Sequence, residues 1–536
     1  MKKIRESNMK STILPCLGLS AVAGAATGVI IFLFKLTVTH AVRLSEFLYA
    51  SVRSDLRLLP LLILGAALLG MIASIILHYS PSSKGGGIPT SITLLRGLIT
   101  FQWLRNLLAV FVSATLTYLG GVPLGTEGPS VQIGTAVGNG TSRLLAKSAA
   151  WDRYVMTGGA CTGFACTTGA PLTGLLFAVE EAHRRFSPLI FTSAATAVAS
   201  GYAASELLCL LTDTHGGLFE IHTRIPTLPL RNLWAPITVG ILAGLAAILF
   251  TKLYRFFRER NGRIRLPLPF KVAIIFAATV VIGVASANLI GSGHSLIDLL
   301  LEGEGVWYML LIYLAARSIS IVIANTVGIT GGLFIPSLAL GALIGAISAN
   351  LFIGLNLLPR EHYMLLVTVG MVAFLAACSR TPLMAIAFAL EALGGFSNLL
   401  AMILCVTLAY VTAEASGMQA FSEVVVESHT EDAHRGRTAT IVDEHVTVAY
   451  NSFAVNKSIP DILWPPTCTV LSIRRDPNSL RYADPSLHEG DILHLHYRTY
   501  DKEETKRQIE AIVGSQSESI DEVTSSVGEQ HITPQL

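Results

Sequence analysis

Apolar stretches, most of them close to the length of a membrane helix, follow one another through residues 12–428, separated by short polar or glycine-rich breaks. About 20 consecutive apolar residues span the ~30 Å hydrocarbon core of a bilayer as an α-helix. On that scale the first half predicts helices over residues 13–38, 60–77, 106–119, 155–179 and 187–211. The second half predicts them over 233–251, 272–290, 307–324, 364–379, 382–390 and 392–412, after a loop at 212–231. The breaks are as regular as the spans. Residues 80–89 open a short helix ending near Arg96, and Gly125 to Ser130 open a segment reaching Gly140. Gly291-Ser292-Gly293 interrupts the second half. Residues 318–359 carry no charged side chain, yet Gly331, Gly332 and Pro336 divide them, so two helices are expected there. Non-helical backbone at membrane depth survives only where protein or a polar cavity covers it. Paired interruptions in two halves therefore point to a transporter's midplane site.

After about Glu427 the pattern changes from long apolar runs to short alternating ones. Residues 445–449, 469–475 and 492–497 read as strands, and 454–463 and 502–513 as helices. This is a small α/β domain at 438–514. The polar, Ser- and Glu-rich stretch 515–536 predicts disorder.

Composition agrees with the spans: 52% of residues are hydrophobic and 14% charged, against the roughly 25% charged residues of soluble domains. The formal net charge of +2 gives no nucleic-acid signature. Seven cysteines are scattered with no CxxC pair and no zinc spacing, so they are expected to be inert core thiols. The basic start, with Lys2, Lys3, Arg5 and Lys10, has no cleavage site behind it and is expected to stay in the cytoplasm.

The halves match. Gly85-Gly86-Gly87 returns as Gly291-Ser292-Gly293, 206 residues on; Pro129-Ser130, Gly134 and Gly138 return as Pro336-Ser337, Gly341 and Gly345 at an offset of 207. Gly159, Pro171-Leu172 and Glu180 return as Gly370, Pro382-Leu383 and Glu391 at an offset of 211. An internal repeat with two sets of broken helices follows. Glu127 then stands out, flanked by uncharged stretches over 107–126 and 128–142. A carboxylate at bilayer depth costs ~2.5–3.5 kcal/mol and marks function by default. The glycines and Pro129 around it read as a helix start, whose exposed N–H groups carry about +0.5 charge and attract anions. A glutamate there fills an anion site when ionised and vacates it when protonated.

Gly85-Gly86-Gly87-Ile88-Pro89, Gly125-Thr126-Glu127-Gly128-Pro129 and Gly332-Leu333-Phe334-Ile335-Pro336, in this order, resemble the CLC chloride channel and transporter family over about residues 12–428. The resemblance implies an all-α polytopic membrane fold of two inverted-topology repeats, about 12–211 and 232–416, a homodimer with one anion pathway per subunit, and no cofactor. It implies a multi-pass protein of the cell's inner or plasma membrane with both termini cytoplasmic. Glu127 matches the family's external gating glutamate, and Glu181 the inner glutamate that receives protons in its exchangers. Backbone N–H groups near Gly86, Gly87 and Ile88, and of Leu333 and Phe334, match positions lining the anion path. Glu180, repeated as Glu391, is expected to be structural. A solvated helix end paired with His183, Arg184 and Arg185 is the plainer reading of Glu181.

Three departures bear on the anion site. Gly86 replaces the family's usual serine, Thr126 its arginine before the gating glutamate, and Phe421 its pathway tyrosine. Phenylalanine fills space but donates no hydrogen bond. Two lost neutral donors, at ~0.5–1.5 kcal/mol each, weaken anion binding and leave the choice among chloride, nitrate, bromide and fluoride open. The 438–514 segment resembles the TrkA-C (RCK-C) regulatory domain through its Arg474-Arg475-Asp476 and Glu489-Gly490-Asp491 order, which implies a module sensing a small molecule or nucleotide. Two functions stay open: proton-coupled chloride antiport through Glu127 and Glu181, or a passive voltage- or pH-gated chloride channel. An intramembrane enzyme is disfavoured, because neither HExxH nor GxSxG occurs.

Overall fold

A computed structural model describes residues 13–85, 87–146, 148–214, 225–303, 305–393, 395–475, 485–514 and 529–531. Its membrane part consists of two runs of eight helices. The first comprises α1 (Leu14–Ser54), α2 (Leu59–Tyr79), α3 (Ile88–Leu95), α4 (Trp103–Leu119), α5 (Glu127–Leu145), α6 (Asp152–Thr168), α7 (Pro171–Leu176) and α8 (Pro188–Leu211). The second repeats it as α9 (Trp234–Arg263), α10 (Leu268–Ala285), α11 (His294–Leu301), α12 (Trp307–Val327), α13 (Phe334–Gly354), α14 (Tyr363–Ser379), α15 (Pro382–Ala392) and α16 (Leu399–Ala415). Among the described residues, eight helices are long and apolar enough to cross a membrane. Starts and stops follow local chemistry. Prolines occupy the first turns of α2, α3, α7, α8, α10 and α15, where a missing N–H is harmless. Left-handed Gly169 and Gly328 end α6 and α12.

Reciprocal hydrogen bonds join the two halves about a pseudo-twofold. The amides and carbonyls of Gly125 and Gly332 bond to each other, at 2.7 and 2.6 Å. Gly85 N–H donates to Gly328 at 2.9 Å, and its counterpart Gly291 donates to Gly121 at 2.8 Å. Glu180 accepts from the amides of Leu383 and Met384, at the start of α15. Glu391 accepts from Leu172 and Thr173, at the start of α7. Each half thus caps a helix of the other, which gives both carboxylates the structural role expected of Glu180. Close crossings repeat too. α5 meets α6 at Gly134 and Gly159, and α13 meets α14 at Gly341 and Gly370; a Cβ at any of the four would strike a carbonyl group of the facing helix.

Four expectations need correction. The uncharged run 155–179 is not one span: Gly169 turns left-handed, Pro171 restarts the helix, and 177–182 form a π-turn. α1 runs on to Ser54, well past residue 38, because its charged residues there, Arg43, Glu46 and Arg53, lie on exposed faces and nothing stops the helix before Asp55. Residues 454–463 form turns around a short 3₁₀ segment at Ile459–Asp461, where Pro460 and left-handed Asn456 deny a regular helix. Within the stretch expected to be disordered, 529–531 pair with a strand, and the remainder lies outside the described residues.

Beyond α16, α17 (Phe421–Ala433) leads into the C-terminal domain. Strands β1 (Thr440–Thr447), β2 (Thr469–Arg474), β3 (Ile492–Thr499) and β4 (Glu529–His531) form an antiparallel sheet in the order β1-β3-β2-β4. Leu493, Leu495 and Tyr497 alternate inward from β3 against Ile509, Ile512 and Val513 of α18 (Lys502–Val513). The two stretches on which the TrkA-C resemblance rests meet here: Arg475 forks onto Asp491 at 2.7 and 2.6 Å, both side chains buried. The domain docks on the membrane part through Arg153, which donates to Leu463 and Trp464, and through Tyr154, which donates to Asp461.

Candidate anion and proton site

Three helices start at one place. α3 begins at Ile88 after an extended Gly87, α5 at Glu127, and α13 at Phe334 after Leu333. A proline follows within two residues in each case, where its missing N–H is no loss, and the other first-turn N–H groups have no acceptor within their own helix. The Gly125–Gly332 bridge ties the α5 and α13 starts together, and a Cβ on Gly332 would lie 2.6 Å from the Gly128 nitrogen. Only glycine allows that approach. Gly87 lies beside Gly331, so α3 joins the same cluster. Gly86 lies outside the described residues.

Glu127 is fully buried at this junction. Its Oε1 accepts from the Thr126 hydroxyl at 2.9 Å. Its Oε2 has no hydrogen-bond partner of normal geometry among the described residues, while the amides of Glu127 and Ile335 lie next to the carboxylate. Thr126, the departure from arginine, therefore holds the carboxylate directly. Tyr118 donates to the Gly125 carbonyl at 2.6 Å and fixes the turn leading into it. Next to Thr126 opens a cleft of about 500 Å³ lined by Lys35, Arg43 and Arg53 of α1 and by the 291–294 loop. Arg317, fully buried, donates to the carbonyls of Asn288, Ile290 and Gly291 and holds that loop. Glu46 of α1 lines the same cleft, so α1 brings both signs of charge next to Thr126, a neighbourhood that sequence position alone did not reveal.

On the other side of the bridge lies a cavity of about 50 Å³. Ile88, Glu181, Leu333, Phe334 and Phe421 all line it, together with Ser337, Ser379 and Ser422. Five of the site residues expected from sequence therefore meet around a space that suits a dehydrated monatomic anion or a few waters. Glu127 does not line it. The Phe334 ring is wedged edge-on between Phe164 and Phe388, at 4.9 and 5.0 Å between centroids, which fixes the α13 start. Phe421 is not at the end of the last long helix: α16 stops at Ala415, and Phe421 is the first residue of α17, packed on Phe250 and Tyr254.

Glu181 sits on the π-turn that follows α7, 3% exposed, with Oε2 making no hydrogen bond among the described residues. The bases that would pair with it are engaged elsewhere. His183 bonds Thr157, Arg185 donates to Ile462 of the C-terminal domain, and Arg184 pairs with Glu423 at 3.3 Å. Arg96 binds both oxygens of Glu423, at 3.0 and 2.8 Å, and gives its remaining bonds to the backbone carbonyls of Glu181 and Ala182. A solvated helix end paired with arginines is therefore not what the structure contains. Beyond this network a cleft of about 980 Å³ opens, lined by Arg96, Arg184, Arg185 and Arg380 as well as Glu180, Glu414 and Glu423. Sequence reasoning missed Glu423 and Ser422. Both follow Phe421 directly, and the signal available was their place in the first turn of a helix whose start had not been recognised.

This arrangement supports passage of an anion between two clefts of mixed charge that both carry arginine side chains, past helix starts that attract it without a full cation, with Glu127 and Glu181 buried along the way. The family model described as voltage gated chloride channel matches residues 68–414. The chain is 29% identical to the H+/Cl− exchange transporter ClcA of Citrobacter koseri over 416 residues, 76% of this chain and 87% of that one. It is 28% identical to the transporter of the same name from Salmonella agona, over 73% of this chain and 84% of that one. Its fold is similar to that of a slow cyanobacterial Cl−/H+ antiporter, with a TM-score of 0.73 at 22% identity, covering 78% of this chain and 99% of that one. A CLC-type fluoride/proton antiporter gives a TM-score of 0.61 at 22% identity, covering 75% and 96%.

Proposed function

The chain belongs to the voltage-gated chloride channel family, the CLC proteins, whose work is anion transport across a membrane, and we propose that it exchanges chloride for protons. Glu127 is the gate and the outer proton carrier in this reading, and Glu181 the inner proton acceptor. The observation that carries it is Glu181 itself, a buried carboxylate on the wall of the central cavity that forms no ion pair among the described residues and leaves Oε2 without a hydrogen bond there. A passive pore has no use for such a group. Leaving an acid buried and unpaired is costly unless it takes up a proton there. Relatives 28–29% identical to this chain over 403–416 aligned residues are named as H+/Cl− exchangers, which supports the same reading.

The mechanism follows from what Glu127 competes with. Ionised, its carboxylate sits among the first-turn amides of α5 and α13 and occupies the place of an anion. Protonated, it loses the attraction of those helix starts and swings out, and chloride takes the amides. The proton then travels between Glu127 and Glu181, while the anion passes the amides near Gly87, Ile88, Leu333 and Phe334. The test is purified protein in vesicles with a chloride gradient and a pH probe. Outward chloride flow should drive protons inward against their own gradient. Chloride flux with no proton movement would make the protein a channel.

Two further features are taken forward as proposals: assembly as a homodimer with both termini cytoplasmic, and a C-terminal domain that senses a small molecule or nucleotide. The domain's bond from Arg185 to Ile462 lies four residues beyond Glu181, so a ligand that moves the domain acts on the inner proton station. Detergent-solubilised mass and thermal shifts with a nucleotide panel test these two features separately.

A further inference from the structure

We propose that Ser422 supplies the hydroxyl that binds the transported anion in the central cavity, in place of the donors absent at Gly86 and Phe421. The inference rests on the anion-transport reading above and assigns a further binding residue to the same site. Three serines line the cavity. Ser337 already donates to the Phe334 carbonyl at 2.7 Å, and Ser379 to the Leu375 carbonyl at 2.9 Å. Ser422 is 4% exposed, and its Oγ makes no hydrogen bond among the described residues. Its proton is the one left to give. A buried hydroxyl normally finds a partner, and in a cavity otherwise walled by side chains such as Ile88, Leu340 and Phe421 an anion is the natural acceptor.

The position suits the role. Ser422 is the second residue of α17, a helix of 13 residues. Intrahelical bonding there begins with Val424 N–H to the Ala420 carbonyl, so the amides of Phe421, Ser422 and Glu423 are uncommitted to the helix. Hydroxyl and amides on one first turn form a donor set for a small anion. Phe421 and Ser422 line the same cavity as Leu333 and Phe334 at the α13 start. Phe421 then packs the wall while its neighbour makes the polar contact.

Chloride binding to the purified full-length protein, measured by titration calorimetry, tests this. Ser422→Ala should weaken binding about 2- to 10-fold, the effect of one neutral hydrogen bond. Ser422→Thr, which keeps the hydroxyl, should restore most of it. Ser428→Ala on the same helix should change nothing, since Ser428 donates to the Val424 carbonyl at 2.8 Å. Unchanged affinity in Ser422→Ala would overturn the proposal, as would a variant that binds chloride normally but loses only proton movement, because the hydroxyl would then serve Glu181. If the unaltered protein pumps protons while Ser422→Ala binds normally, the proposal fails and the antiport reading stands. If the unaltered protein neither binds chloride nor moves protons, both fail.

Discussion

Replacing Glu180 by alanine should weaken both the fold and proton movement, whereas Glu391→Ala should weaken the fold alone. Both carboxylates close the first turn of a helix in the opposite half. Glu180 accepts two N–H bonds, at 2.9 and 2.6 Å, and Glu391 accepts two at 2.7 and 2.8 Å plus the Thr173 hydroxyl at 2.6 Å. Loss of a side-chain cap costs ~0.5–2 kcal/mol, and loss of an anion from a helix N-terminus a further ~0.3–1 kcal/mol. Both groups are half-buried, so solvent screening keeps the charge contribution at the low end. About 1–2 kcal/mol follows for Glu180→Ala and about 2–3 kcal/mol for Glu391→Ala with its third bond. At roughly 2–4 °C per kcal/mol for domains of 150–250 residues, and less for a larger chain, the melting temperature in detergent should fall by about 2–6 °C. The functional consequences differ. Glu180 precedes Glu181 on the π-turn, and its grip on α15 holds that turn in place. In vesicles Glu180→Ala should therefore move fewer protons per chloride, and Glu391→Ala should keep the ratio. Melting temperatures within about 1 °C of the unaltered protein, or equal loss of proton movement in both variants, would refute the reasoning.

Three other outcomes follow from the same geometry. Glu423→Gln removes the carboxylate from Arg96 and Arg184, should cost about 1–3 kcal/mol, and frees two guanidinium groups to pair with Glu181. Proton flux in vesicles should then fall more than chloride flux, and equal falls would contradict the assignment. Arg153→Ala combined with Tyr154→Phe removes bonds to Leu463, Trp464 and Asp461, so limited proteolysis near residues 434–439 should speed up about 3- to 10-fold; an unchanged rate would mean that these bonds do not hold the C-terminal domain in place. Cys468 is half-exposed, but burial pushes its thiol up to about 12, with Glu444 adding to the shift. A thiol raised this far is almost entirely protonated at pH 8 and forms thiolate only as the pH climbs towards 12. Ellman's reagent should therefore label the folded protein slowly at pH 8, and prompt labelling of Cys468 would contradict that.

Most of the membrane architecture was legible because hydrophobic length and Gly/Pro interruptions are strong, local signals. The Gly125, Gly291 and Gly332 breaks, the division of 318–359 and the repeat of Glu180 as Glu391 all came from spacing alone. The misreadings have local causes. Residues 155–179 lack any charge, so the left-handed turn at Gly169 was hidden inside a uniformly apolar run. α17 was missed because its start, Gln419-Ala420-Phe421-Ser422, has neither a capping side chain nor a proline. With it went Ser422 and Glu423. Tertiary neighbours stayed invisible for a different reason: Arg96 lies 327 residues from Glu423, and Lys35, which lines the same cleft as Thr126, lies 91 residues before it. No periodicity links such pairs; only the folded halves bring them together.

In the proposed antiport, the Glu127 carboxylate at the pseudo-twofold junction is the group that separates exchange from leak. Glu127→Gln keeps the shape of the side chain but can neither ionise nor carry a proton. In vesicles holding a chloride gradient, with chloride efflux and internal pH followed together, this variant should pass chloride while internal pH stays flat. Proton pumping at the ratio of the unaltered protein would contradict the account.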